Sequence, residues 1–175
     1  IDRVVREAVR VASAGFKEIA ITGVHLGSYG RDLMPRASLA ELLHALSNVG
    51  VLFRISSLEP MDCTAEIIDL VAASTCFAPH FHLPLQHASD RMLSAMRRPY
   101  TIAQYAALVD TIHARMPDAA IGSDVIVGFP GECDSDFEQL SAYLERSPLT
   151  HVHVFPYSDR PGTAASAMME KVPGQ

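Results

Sequence analysis

Apolar positions recur along the chain with two alternating periods. Ile1, Val4, Val5, Ala8, Val11 and Ala12 fall at helical spacing and stop at Gly15. Residues 17–22 (Lys-Glu-Ile-Ala-Ile-Thr) then read as a short buried strand ending at Gly23. Ser38 followed by Glu41 predicts a capping box, with Leu39, Leu42, Leu43 and Leu46 on one helix face and Gly50 as the stop. A strand over 51–56 follows, and Thr64 caps a helix that carries Ile67, Ile68 and Val71 to about residue 74. Residues 80–83 are strand-like and stop at Pro84; a helix over 89–97 carries Met92, Leu93 and Met96. Past Pro99, Thr101 with Gln104 predicts another capping box. A strand over 119–127, a helix capped by Ser135 with Glu138, and a strand over 150–155 end the series.

Five helix-then-strand units imply parallel strands joined by right-handed crossovers. The fold class is α/β: a barrel, a partial barrel or an open doubly wound sheet, among which periodicity does not choose. No linker, low-complexity run or repeat interrupts residues 1–175, which read as one domain. Because the pattern opens on a helix and on Ile1, a preceding strand and a longer parent protein are expected.

Composition narrows the function classes. The 175 residues are 49% hydrophobic and 19% charged, which excludes a disordered chain. A net charge of −6 argues against a surface built mainly to grip nucleic acid, though it leaves room for an RNA held by a local basic patch. No apolar run approaches the roughly 18–20 residues of a membrane span, and no signal peptide is visible, so a cytoplasmic protein without a membrane partner is expected. Cys63, Cys76 and Cys133 are too sparse for a disulfide framework and form no C-x-x-C cluster, which points to a reducing compartment and to no metal site.

In parallel α/β folds ligands bind beyond the C-terminal ends of the strands. Each strand end here delivers polar or glycine-rich residues to that face. They are Thr22-Gly23-Val24-His25, Ser56-Ser57-Leu58-Glu59-Pro60, His82-Leu83-Pro84-Leu85-Gln86-His87, Asp124 through Glu132, and His153 through Ser158. A structural loop needs only a cap and a turn residue, so this density points to a binding site. The pairs His80/His82 and His151/His153 each place two imidazoles on one strand face, open to metal ligation or to structural and cofactor-contacting roles. Gly23 through Gly30 holds three glycines in eight residues, but it is not G-x-G-x-x-G; its glycines either admit a small polar ligand or make turns. Arg91, Arg97 and Arg98 lie around one predicted helix: a solvated face, or a guanidinium fork at Arg97-Arg98-Pro99-Tyr100 for a carboxylate or phosphate.

Taken in order, six stretches resemble the radical S-adenosylmethionine methylthiotransferases. They are Ile21-Thr22-Gly23-Val24-His25-Leu26-Gly27-Ser28-Tyr29-Gly30, His82-Leu83-Pro84-Leu85-Gln86, Ser89-Asp90-Arg91-Met92-Leu93, Met96-Arg97-Arg98-Pro99-Tyr100-Thr101, Asp124 through Glu132, and Phe155 through Thr163. The resemblance spans essentially the whole chain. It implies a partial (βα)6 TIM-like barrel, truncated here before its first strand. The tRNA branch, which thiomethylates C2 of N6-threonylcarbamoyladenosine, is matched best; the ribosomal-protein and isopentenyladenosine branches are the alternatives. Gln86-His87-Ala88 stands where many relatives have Gln-Ser-Gly.

The resemblance also implies S-adenosyl-L-methionine across the strand ends. Its cofactor-binding residues would be Gly23, His25, Ser57, Glu59, Gln86, Asp124, Ile126, Val127 and Phe155, with Arg97, Arg98, Tyr157 and Arg160 toward the substrate. Catalytic residues remain unassigned. The [4Fe-4S] clusters would use cysteines outside this sequence, upstream of Ile1, and the N-terminal cluster domain and C-terminal TRAM domain would lie in the parent. A tRNA substrate, an electron donor and a monomeric state are expected, with the piece alone inactive. Two rivals stand beside this reading: a metal-dependent (βα)-barrel hydrolase or lyase using the His-x-His pairs, and a scaffold domain with a degenerate cofactor pocket.

Overall fold

A computed structural model describes residues 1–172. In chain order the elements are α1 (Asp2–Ser13), β1 (Glu18–Ile21), α2 (Leu39–Leu46), β2 (Leu52–Ile55), α3 (Ala65–Ala73) and β3 (His80–His82). Next come α4 (Asp90–Ala95), α5 (Ile102–Arg115), β4 (Ala120–Val127), α6 (Asp134–Arg146) and β5 (His151–Pro156). The chain divides into two compact units, one of residues 1–83 with 112–120, the other of 84–111 with 121 onward.

In the first unit β1 and β2 pair in parallel, from Glu18 opposite Leu52 to Ile21 opposite Ile55, with α2 as the crossover. The edge of β2 continues into the segment before β3: Phe53 donates to the Cys76 carbonyl (2.7 Å), and Ala78 donates to that of Phe53 (2.8 Å). Leu42, Leu43 and Leu46 of α2, Ile67, Ile68 and Val71 of α3, and Phe53, Phe77 and Phe81 form the buried core. The apolar stripes predicted for α2 and α3 are thus the buried faces. Both helices start where predicted. Ser38 Oγ accepts the Glu41 amide (3.1 Å) while the Glu41 carboxylate accepts the Ser38 amide (2.7 Å). Thr64 Oγ1 accepts from Ile67 at 3.4 Å. In α1 only Ala8 is buried, and Val4 and Val11 line an apolar cleft of about 360 Å³ with Ile19, Ile21 and Phe53.

In the second unit β4 and β5 pair in parallel from Gly122 opposite His151 to Val127 opposite Pro156. Tyr105 of α5 is fully buried, and its hydroxyl donates to Ser123 Oγ (3.1 Å). Its ring meets Tyr143 of α6 edge-on at 6.2 Å. Tyr100 donates to the Pro84 and Leu85 carbonyls (3.0 and 3.1 Å), fixing the chain just before Gln86.

Two local expectations are corrected here. Helix α4 ends at Ala95, and Arg97 turns the chain with a left-handed φ of 57°, so Arg97 and Arg98 lie past the helix rather than around it. Helix α6 is capped not by Ser135 with Glu138 but two residues earlier. The Asp136 carboxylate accepts the Cys133 amide (3.0 Å) and the Cys133 thiol (3.0 Å). Asp136 wins because it is buried and also receives Ser89 Oγ (2.6 Å) and the Arg91 guanidinium. Arg91 is therefore an ion-pair partner and not merely part of a solvated face.

Candidate cofactor cleft

The paired strands of the second unit carry a layered face. Strand periodicity puts Gly122, Asp124 and Ile126 on one side of β4, and the parallel register sets them opposite His151, His153 and Phe155. A Cβ at Gly122 would stand 2.1 Å from His151 Nε2, so the imidazole lies directly over the bare backbone. One step along, His153 Nδ1 meets Asp124 Oδ1 at 3.1 Å. The rings of His151, His153 and Phe155 follow one another at 5.7 and 6.4 Å.

At the C-terminal end of this face a cleft of about 420 Å³ opens. Gln86, Asp124, Ile126, Phe129, Phe155, Pro156, Tyr157, Ser158 and Arg160 line it. Gln86 sits there in a strained backbone: its φ is +70°, its amide donates to the Asp124 carbonyl and its carbonyl accepts from Ile126, both at 2.8 Å. A non-glycine residue in that region costs on the order of 1 kcal/mol or more, held here by the two ladder bonds on either side. Phe129 and Tyr157 meet edge to face at 5.4 Å. The Lys171 ammonium lies 5.5 Å from the Tyr157 ring and pairs with Asp159 at 2.8 Å. The cleft has apolar walls with a few directed polar groups, the make-up of a small-molecule site.

Six residues named from the sequence meet in this cleft: Gln86, Asp124, Ile126, Phe155, Tyr157 and Arg160. Val127 does not, because alternation turns it to the opposite side of β4 from Ile126. Its carbonyl instead accepts the Tyr157 amide (2.8 Å) and so positions the cleft's rim. Arg97 and Arg98 line a separate cavity of about 450 Å³ with Asp90, Ser94, Pro99, Tyr100, Thr101 and Gln104. Neither lines the cleft that holds Tyr157 and Arg160.

Gly23, His25, Ser57 and Glu59 belong to the first unit. Gly23 and His25 occupy an exposed loop, where His25 Nδ1 lies 3.9 Å from the buried Asp62 carboxylate. Ser57 Oγ meets His82 Nδ1 at 2.7 Å, which gives one imidazole of the first His-x-His pair a hydroxyl partner. Glu59 is half-buried at the start of the turn Pro60–Asp62. Phe129 and Ser158 line the cleft without a role assigned from the sequence; each sits in a quoted stretch, but its aim depends on turn geometry.

The cysteines lie on separate elements. Burial pushes the Cys63 thiol up to about 12, Cys76 donates to the Ser47 carbonyl (3.2 Å), and Cys133 caps α6. Among the described residues no helix is long and apolar enough to cross a membrane.

Comparison with known proteins places this geometry. Residues 1–144 match the radical SAM superfamily. The chain is 40% identical over 175 residues to the threonylcarbamoyladenosine tRNA methylthiotransferase MtaB of Aquifex aeolicus, covering 99% of this chain and 42% of that protein. It is 38% identical to the Bacillus subtilis protein of the same name, over 98% of this chain and 38% of the other. A tRNA-2-methylthio-N(6)-dimethylallyladenosine synthase of Pelotomaculum thermopropionicum is 36% identical over 98% of this chain and 39% of its own length. The chain thus spans about two fifths of these relatives. Among solved structures, coproporphyrinogen III oxidase (HemN) of Escherichia coli, a radical SAM enzyme, shares the fold with a TM-score of 0.66 at 17% identity. That match covers 97% of this chain and 40% of HemN. The Methanocaldococcus infernus Elp3 structure gives 0.57 at 13% identity, over 94% of this chain and 43% of that one. Parallel strands, a cleft beyond their C-terminal ends and a match over residues 1–144 lead to one conclusion: the chain belongs to the radical SAM superfamily.

Proposed function

We propose that this chain is the cofactor-binding part of a methylthiotransferase that modifies C2 of N6-threonylcarbamoyladenosine in tRNA. The carrying observation is 40% identity to a threonylcarbamoyladenosine tRNA methylthiotransferase along 99% of the chain. Superfamily membership implies S-adenosylmethionine and a [4Fe-4S] cluster, and the residues present fit the first. The cleft's volume of about 420 Å³ falls in the range of roughly 300–1,000 Å³ usual for small-molecule sites. Its apolar walls suit an adenine, while Gln86 and Asp124 offer hydrogen bonds to a ribose. The residues present do not fit a cluster: Cys63, Cys76 and Cys133 stand on separate elements, and burial keeps the Cys63 thiol protonated.

When bound, S-adenosylmethionine supplies the carbon radical and the methyl group of the reaction. The chain's own residues hold and shield it. Ile126 and Phe155, on neighbouring strands, would hold the adenine, and the Phe155–Tyr157 backbone would bound its edge. Gln86, its backbone fixed by the Asp124 and Ile126 ladder bonds, would offer its side-chain amide to the ribose. Phe129 against Tyr157 closes the apolar side and would keep water from the reacting carbon. Arg160 at the rim faces an anionic substrate.

A second reading keeps the chemistry and changes the nucleoside to a dimethylallyladenosine, favoured by the 36% identity to the Pelotomaculum synthase. Two measurements test these readings. Calorimetric titration with S-adenosylmethionine is expected to show saturable binding, weakened about 10-fold by Gln86→Ala, the loss of one directed hydrogen bond to the ligand. No effect of Gln86→Ala on that binding would move the cofactor elsewhere. Mass spectrometry of tRNA nucleosides from cells lacking the gene is expected to show unthiolated threonylcarbamoyladenosine. Unthiolated dimethylallyladenosine in its place would select the second reading.

A further inference from the structure

Behind the wall of the cleft lies a buried pair that the proposed function leaves unused. His87 is wholly buried, and its Nδ1 accepts the Ser89 amide at 3.0 Å. An accepting Nδ1 places the ring proton on Nε2. Among the described residues that Nε2 makes no hydrogen bond within 3.5 Å, and 3.7 Å away stands Glu132 Oε1. The other Glu132 oxygen is committed, accepting the amides of Gly128 (2.6 Å) and Phe129 (3.1 Å).

The two residues therefore touch both segments that shape the cleft. His87 directly follows Gln86, whose left-handed backbone forms one wall. Glu132 holds the turn that aims Phe129 against Tyr157 at the other. A buried donor facing a buried carboxylate across less than a water's width has no cheaper partner than that carboxylate.

We propose that His87 is a positioning residue of the cofactor cleft, its Nε2–H facing Glu132 so that the Gln86 wall and the Phe129 turn are tied together. The inference rests on the reading that an adenosyl ligand occupies the cleft. Protonation opposes this arrangement: a proton on Nδ1 would confront the Ser89 N–H, two donors face to face. Glu132, Asp136 of α6 and Arg91 of α4 are the charged groups acting on the ring. Burial lowers the His87 pKa, the two carboxylates act to raise it and Arg91 to lower it, with burial largest. The ring is neutral at pH 7, and acidification is the direction that disturbs the cleft.

The test uses two conservative substitutions and S-adenosylmethionine as the probe. His87→Asn keeps an acceptor for the Ser89 amide but falls short of Glu132. His87→Gln keeps a donor near the Nε2 position. Both are checked for folding by thermal melts, and affinity is measured by calorimetry at pH 8. Expected are a loss of about 10-fold in affinity for His87→Asn, the scale of one buried hydrogen bond, and near-native affinity for His87→Gln. A folded His87→Asn that binds like the native protein, or a folded His87→Gln that loses as much affinity as His87→Asn, overturns the inference alone. Absence of binding by the native protein overturns the cofactor reading with it.

Discussion

At the residue scale, the glycine-rich loop shows how one composition serves two ends. A Cβ at Gly30 would stand 2.3 Å from the Ala37 carbonyl oxygen, and Gly30 holds a φ of +79°. Its own carbonyl accepts from both Leu33 and Ala37 (3.2 and 3.1 Å), so Gly30 is the knot of the turn. Gly23 has no such constraint; its nearest neighbour for an added Cβ is Leu26 at 3.7 Å. Of the two readings open from sequence, the turn therefore applies at Gly30. Gly30→Ala is expected to destabilise the protein by about 1–3 kcal/mol in urea unfolding, from strain at a left-handed position plus the clash. Gly23→Ala is expected to change stability by less than about 0.5 kcal/mol. Equal midpoints for the two variants would remove the distinction.

At the scale of elements, the helix starts divide into those written locally and those decided from a distance. Ser38 and Thr64 are legible because a short side chain reaches an amide three residues on, and both caps form. Thr101 with Gln104 behaves likewise: each side chain accepts the other residue's amide (2.9 and 3.3 Å). Helix α6 has the same local signal at Ser135 and Glu138, but Asp136 is drawn inward by Ser89 and Arg91, residues more than forty positions earlier. No window around residue 135 contains them. The same limit applies to the cleft. The strand alternation that sets Ile126 inside and Val127 outside is readable, whereas the turn that aims Phe129 and the early end of α4 before Arg97 and Arg98 are tertiary outcomes. Substitution checks the cap assignment: Ser38→Ala is expected to cost about 1 kcal/mol in unfolding free energy, and Ser135→Ala to be neutral within about 0.5 kcal/mol. A comparable loss for Ser135→Ala would restore the local cap.

For the molecule as a whole, the buried charges of the second unit set how stability depends on pH. Burial works to raise the Asp136 pKa, but hydrogen bonds from Arg91, the Cys133 thiol and Ser89 outweigh it and hold the carboxyl well below its ordinary 3.8. A carboxylate with a depressed folded-state pKa contributes stability that is present above the unfolded value and lost as pH falls through it. His87 acts in the window above. Its folded pKa lies below 6.5, so the unfolded chain binds a proton first and stability declines as pH drops past that value. Urea midpoints of the native protein are therefore expected to be level above about pH 7. They are expected to fall gently from about pH 6.5 and steeply below about pH 4. Asp136→Asn removes the charge-assisted bonds to Arg91, so it is expected to lower the midpoint at pH 7 and to flatten the steep acid branch. If the acid branch keeps its full slope in Asp136→Asn, the acid sensitivity belongs to other members of the 20 carboxylates, and Asp136 is a cap rather than the electrostatic anchor of its unit.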